Sequence, residues 1–121
     1  MSSSENRKRV VNLKVRCLPE EADAIRDKAM DSGVSVSEKT IQAGGQSIPL
    51  TIVRPEGVQG DLPVFMFFHG GGWVLGDYPT HARLIRDLVV NSGAVAVYVD
   101  YTPSPEAHYP VAINQAYAAT K

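Results

Sequence analysis

Sulfur and aromatic side chains are scarce here: 121 residues hold one cysteine, Cys17, one tryptophan, Trp73, and three phenylalanines. A lone thiol cannot close an internal disulfide and has no second cysteine or histidine cluster beside it for zinc, so the setting is read as reducing and cytoplasmic, with no metal and no cofactor. Long apolar runs are missing too. The longest, Val64 to Phe68 and Ala94 to Val99, fall far short of the roughly 20 residues that cross a bilayer, so no membrane contact is expected. The basic start has no apolar stretch behind it, because Asn12, Lys14 and Arg16 interrupt the hydrophobics, and a secretory signal is not expected. Neither glycine pattern of phosphate-binding loops can be laid on residues 70–80, which argues against nucleotide binding there. What is present is 44% hydrophobic and 21% charged residues, the composition of a folded globular chain with room for one domain or pieces of more.

Charge is unevenly placed. Residues 1–18 carry Arg7, Lys8, Arg9, Lys14 and Arg16 against Glu5, while the rest is acidic and the whole has a net charge of −1. A basic segment ahead of an acidic body is either a nucleic-acid contact or solubilising terminal charge. Val11, Leu13, Val15 and Cys17 alternate with Asn12, Lys14 and Arg16, which predicts a strand with one apolar face and places Cys17 as a small core residue. Pro19, Glu20 and Glu21 open a helix to about Ser32, with Gly33 as its stop. Ser35 to Glu38 reads as a capping box for a second helix. No helical pattern follows it. Thr40 and Ile41 lead instead into Gly44-Gly45 and a returning strand, Ile48 to Val53, so a hairpin over about 38–54 is expected.

The pattern then becomes regular. Val64 to Phe68 has no polar alternation and predicts a central strand covered on both faces. Leu84, Ile85, Leu88 and Val89 recur at helical spacing between Arg83 and Asn91, ended by Ser92-Gly93. Ala94 to Val99 is a second buried strand, Asp100 to Tyr109 a proline-rich loop, and a helix begins at Val111. The fold class is therefore α/β: an antiparallel hairpin, then parallel β-α-β-α, preceded by a short β-α segment.

His69-Gly70-Gly71-Gly72-Trp73 stands directly behind the first buried strand. Three glycines alone make a turn without chemistry. After a buried strand, however, they put unshielded N–H groups at a sheet's carboxyl edge, where a developing oxyanion can be held; losing one such donor costs roughly 3–4 kcal/mol of barrier. With Asp100-Tyr101-Thr102-Pro103-Ser104-Pro105-Glu106 about thirty residues on, followed by Tyr109-Pro110-Val111-Ala112, the stretch from about Glu38 to Lys121 resembles the hormone-sensitive-lipase-like carboxylesterases of the α/β-hydrolase fold. The resemblance implies that Gly71 and Gly72 supply oxyanion N–H groups, that His69 and Gly70 support the loop, and that Trp73 borders the acyl pocket. It makes Asp100, Tyr101 and Glu106 structural braces. Family members usually carry Arg-Leu-Ala where this chain has Thr102-Pro103-Ser104, so an arginine brace is missing.

That fold's nucleophile lies in Gly-x-Ser-x-Gly, with its acid and histidine later in the chain. No such pentapeptide occurs in these residues; by family order the serine would lie beyond Lys121. His69, His81 and His108 have no serine and carboxylate arranged with them and are not read as the base. The resemblance therefore implies a truncated serine-type ester hydrolase that acts on a small-molecule ester only when completed by further sequence.

Residues 7–38 resemble something else: the ribbon-helix-helix start of plasmid-mobilisation (relaxosome) accessory proteins. In such folds exposed strand residues enter the major groove, here Asn12, Lys14 and Arg16, with Arg7 to Arg9 on phosphates. An amphipathic strand with a solvated face is the alternative. The chain is accordingly divided into a basic, incomplete ribbon-helix-helix-like segment, 1–38, and the N-terminal part of a hydrolase domain, 39–121. A junction of two genes near Val36 to Glu38 explains the interrupted helix signal; a cap-forming esterase N-terminus is the competing account.

Overall fold

The computed structural model describes residues 32–121. The strand expected at 11–17, Cys17 and the expected helix up to residue 31 fall outside the described residues; Ser32 and Gly33 form a turn. Six elements follow: β1 (Val34–Ala43), β2 (Gln46–Pro55), β3 (Val64–Phe67), α1 (Tyr78–Ser92), β4 (Val95–Val99) and α2 (Val111–Thr120). They form one four-stranded sheet in the order β1-β2-β4-β3.

The hairpin turns on Gly44 and Gly45, both at positive φ (59° and 74°), as a two-residue turn matched to strand twist requires. Pairing then runs unbroken from Ala43↔Gln46 to Val34↔Pro55. Ser35 to Glu38 thus lies inside a strand that begins at Val34, ahead of the boundary expected after residue 38. Val34 to Ser37 alternate apolar and polar, and with β2 beside them the ladder hydrogen bonds outweigh a cap that has no helix to start.

Antiparallel pairing of Leu50↔Val99 through Val53↔Ala96 joins hairpin to β4, and β3 lies parallel to β4 from Val64↔Val95 to Phe67↔Tyr98. One sheet face carries Val34, Val53, Ala96 and Tyr98 against Ile85 and Val89 of α1; the other carries Ile48, Leu50 and Val99, with Ala118 and Ala119 of α2 packed on them. β2 and β4 are both flanked on two sides, and β4 is the more enclosed, with all its residues but Val97 buried. β3, expected to be central, stands at the edge with Val64 62% exposed. An unbroken apolar run specifies two apolar faces, not the number of paired edges.

α1 begins at Tyr78, five residues ahead of the expected Arg83. Asp77 caps it: its Oδ1 accepts from the Thr80 amide at 3.0 Å, and Thr80 Oγ1 accepts from the Asp77 amide at 3.1 Å. Gly93, left-handed at φ 69°, closes its end by donating to Val89 O. Of the four apolar residues at helical spacing, Ile85 and Val89 face the sheet while Leu84 and Leu88 are exposed. A four-residue apolar stripe is wider than the line of contact a helix makes with a sheet.

The hydrogen bonds from the Thr80 backbone and side chain hold the Asp77 carboxyl below the usual carboxylate value. A carboxylate with a lowered folded-state pKa stabilises the fold above its unfolded value of about 3.9 and loses that contribution as pH falls through the folded value. Asp77→Ala is expected to lower the thermal midpoint at pH 7, and the gap to the parent protein to close as pH falls from 5 to 2; Asp77→Asn, which keeps an acceptor, should recover much of it. Circular-dichroism melts across that range check this.

Candidate functional site

The end of β3 delivers His69 to the interior. Its ring is 6% exposed and stacks on Tyr101 at 4.3 Å between centroids, 7° from parallel, with Tyr98 5.6 Å away at 13°. Tyr101 Oη donates to His69 O at 2.7 Å, and burial raises the Tyr101 phenol pKa, keeping that donor protonated. Gly76 allows the fit, since a Cβ there would sit 2.6 Å from His69 Nδ1.

The imidazole then sets the glycines. His69 Nδ1 lies 2.8 Å from Gly70 O, and because a carbonyl has no hydrogen to offer, Nδ1 carries the proton. Gly71 O accepts from Val74 and Leu75 amides at 3.2 and 3.0 Å. Cis bonds in the described residues precede only Pro105 and Pro110, so the 70–71 and 71–72 peptides are trans and each N–H points opposite its own carbonyl. With both carbonyls engaged, the amides of Gly71 and Gly72 are turned the other way, and among the described residues neither donates a hydrogen bond.

This loop is strained. Gly71, Gly72 and Trp73 have φ of 133°, 64° and 65°; a side chain on Gly71 would meet Leu75 O at 1.9 Å, and Trp73 occupies a left-handed region costly for a bulky residue. Ser104 N holds Trp73 by donating to its carbonyl at 2.8 Å. In front lies a hollow of about 300 Å³, bordered by Gly72 and Trp73 on one side and by Thr102, Ser104, Tyr109 and Ile113 on the other.

Of the residues expected as braces, Tyr101 reaches the loop. Asp100 and Glu106 are exposed, and their carboxylates make no hydrogen bond or ion pair among the described residues; Asp100 contributes its amide, donated to Pro49 O at 3.0 Å. The brace for the second motif is Gln115. It is 4% exposed, its Oε1 accepts from Thr102 N at 2.7 Å and its Nε2 donates to Thr102 Oγ1 at 3.1 Å. The sequence offers only a weak signal for it, one of two adjacent amides, Asn114 and Gln115, among the mostly apolar residues of α2. Tyr98 was missed as well: it is fully buried, its hydroxyl has no hydrogen-bond partner among the described residues, and desolvation raises its pKa well above the ordinary phenol value. His81 lies 5.6 Å from His69 ring to ring, its Nδ1 turned to Asp77 O and Thr80 Oγ1. No cluster of three potential metal ligands occurs among the described residues, and none of their helices is long and apolar enough to cross a membrane. Asn12, Lys14 and Arg16 lie outside the described residues.

A mixed sheet with crossover helices and a glycine loop at a strand's carboxyl end is part of an α/β-hydrolase fold. Comparisons agree. Residues 65–121 match the alpha/beta hydrolase fold family model. The chain is 38% identical over 87 residues to Carboxylesterase NlhH of Mycobacterium tuberculosis, covering 71% of this chain and 27% of that protein. It is 48% identical over 63 residues to Esterase LipI of the same species, 52% of this chain and 20% of that one. A solved thermostable esterase from Pseudomonas putida superposes with a TM-score of 0.72 at 69% identity, over 86% of this chain and 34% of that one. These residues are therefore related to the carboxylesterases of the α/β-hydrolase family, and they span about a fifth to a third of the relatives' length. Residues 7–44 match a second model, Mobilization protein NikA.

The two tyrosines of the stack make opposite predictions. Tyr101→Phe leaves the buried His69 carbonyl unpaired and should cost about 1–3 kcal/mol; Tyr98→Phe removes a hydroxyl that has no partner and should be neutral or stabilising by up to about 1 kcal/mol. Urea titration gives both numbers, and emission from Trp73, the sole tryptophan, should shift to the red in Tyr101→Phe alone.

Proposed function

We infer that these residues carry the oxyanion-binding part of a carboxylic ester hydrolase of the serine-esterase type. The observation behind this reading is the pair of engaged carbonyls at Gly70 and Gly71, which leaves the Gly71 and Gly72 amides unpaired among the described residues, with Gly72 at the border of an open hollow. When a nucleophile attacks an ester, charge gathers on the carbonyl oxygen; donors already fixed in place stabilise it without reorganising. Gly71 and Gly72 are those donors, His69 and Gly70 hold their direction, and Trp73 walls the acyl side. Asp100, Tyr101 and Glu106 belong to the bracing segment, with Tyr101 its working contact. The reaction proceeds through an acyl-serine, but the 121 residues contain no Gly-x-Ser-x-Gly, so the attacking hydroxyl and its base are supplied by other sequence. No metal or cofactor is required, and the compartment we assign is the cytoplasm.

A second reading is favoured by the Mobilization protein NikA match over 7–44. Residues 1–38 are then a DNA-binding piece, with Asn12, Lys14 and Arg16 on base edges, and the hydrolase part follows from 39. That boundary falls inside β1, whose first five residues pair with β2 as regularly as the rest.

The 121-residue polypeptide alone should hydrolyse p-nitrophenyl acetate no faster than buffer; robust turnover abolished by a serine-directed reagent would overturn the inference that the nucleophile lies elsewhere. For the second reading, gel-shift titrations with duplex DNA should show binding that weakens steeply from 50 to 200 mM salt and is largely lost in a Lys14→Ala, Arg16→Ala double variant. Absence of any shift at 50 mM salt would remove it.

A further inference from the structure

Of the residues of α2, only Gln115 is buried. Packing alone would put an apolar side chain there, because a buried amide must recover the hydrogen bonds that water gave it. Gln115 recovers them on one residue, Thr102: Oε1 accepts from the backbone N–H at 2.7 Å and Nε2 donates to Oγ1 at 3.1 Å. These contacts fix both the backbone and the side chain of Thr102. Pro103, whose ring locks φ, is a stiff link to Ser104. Ser104 is tied on its far side by its hydroxyl, which donates to Ala107 O at 2.9 Å.

From Ser104 a row of peptide groups leads to the glycine loop. Ser104 N donates to Trp73 O at 2.8 Å. That carbonyl and the Val74 amide belong to one planar unit, and Val74 N donates to Gly71 O at 3.2 Å. Gly71 O shares the next plane with the Gly72 amide, which points the opposite way at the border of the hollow and is unpaired among the described residues. Two rigid units thus stand between Ser104 and Gly72, each gripped at its carbonyl. Hydrogen bonds in such a row polarise one another, so the amide at its end is a stronger donor as well as a fixed one.

We propose that Gln115 is a positioning residue for the Gly72 amide, acting through Thr102, Ser104 and the Trp73–Val74 peptide. It does not itself border the hollow, so its effect there is carried by the backbone it holds. An amide that merely tied α2 to the preceding loop would contribute stability and leave residue 72 unaffected. The positioning stands on the geometry; only its value for ester chemistry rests on the esterase reading above.

Proton–nitrogen correlation spectra of the isotope-labelled chain test this. Gln115→Met keeps the length of the side chain and removes both contacts; the Gly72 and Val74 amide signals should move upfield about threefold further than any amide of α1. Thr102→Val breaks only the Oγ1 contact and should give a smaller shift of the same sign, a second measure should Gln115→Met not fold. Gln115→Glu, whose carboxylate accepts from the Thr102 amide and lets the hydroxyl donate, should restore most of the change. Ala118→Gly weakens α2 without touching Thr102 and should leave both signals in place. Butyrate, which offers a negative oxygen on an apolar tail, should move the Gly72 signal downfield in the parent chain and much less in Gln115→Met. A Gly72 signal that responds to Gln115→Met but not to butyrate upholds the positioning and counts against the esterase reading. Gly72 and Val74 signals unmoved by Gln115→Met and Thr102→Val, an equal shift in Ala118→Gly, or no recovery in Gln115→Glu would each overturn the proposal.

Discussion

A trans peptide cannot turn its carbonyl without turning the next amide the opposite way, and the glycine loop is governed by that rigidity. One imidazole proton holds the Gly70 carbonyl, two amides from the following turn hold Gly71's, and the outward N–H groups are the result. The constraint reaches back into the core. His69 keeps its place because Tyr101 lies flat against it and bonds to its carbonyl, and Tyr101 in turn leaves the end of β4, the most enclosed strand. Glycine serves different ends along this path. At 71 and 76 a side chain has no room, whereas at 72 a Cβ would meet nothing, so there the requirement is the left-handed backbone and open access.

Much of this was legible in the residues. The Gly44-Gly45 turn, the Gly93 stop, the burial of 94–99 and the loop after β3 follow from local chemistry that tertiary contacts reinforce. The errors share one cause, which is that sequence periodicity reports a residue's apolar character and not its neighbours. Nothing in Val64 to Phe68 distinguishes an edge from an interior strand, and Leu84 and Leu88 are as apolar as the inward Ile85 and Val89. The start of α1 was hidden because Asp77 and Thr80 cap it reciprocally without the usual glutamate. In the site, the glycines and Tyr101 could be named from the motif, but Gln115 could not: its amide matters only because the 102–104 backbone arrives beside it, thirteen residues earlier in the chain.

Two relationships meet in β1. The Mobilization protein NikA match extends to residue 44, through the whole strand, while the carboxylesterase relatives account for the sheet that strand belongs to. Ser35 to Glu38 has the letters of a helix start, while Val34 to Ser37 has the alternation of a strand. Ten pairs with β2 decide the matter here, an instance of tertiary context overriding local propensity.

The strand order β1-β2-β4-β3 also sets a timetable. The hairpin joins neighbours in the chain and can close within microseconds of becoming available. β3 comes next in sequence, but its only strand partner in the described sheet is β4, about thirty residues later, and β4 must also find β2 across the whole of α1. During synthesis the Val64 to Phe68 stretch therefore emerges before the strand it pairs with, and its apolar side chains pass through that interval without their ladder.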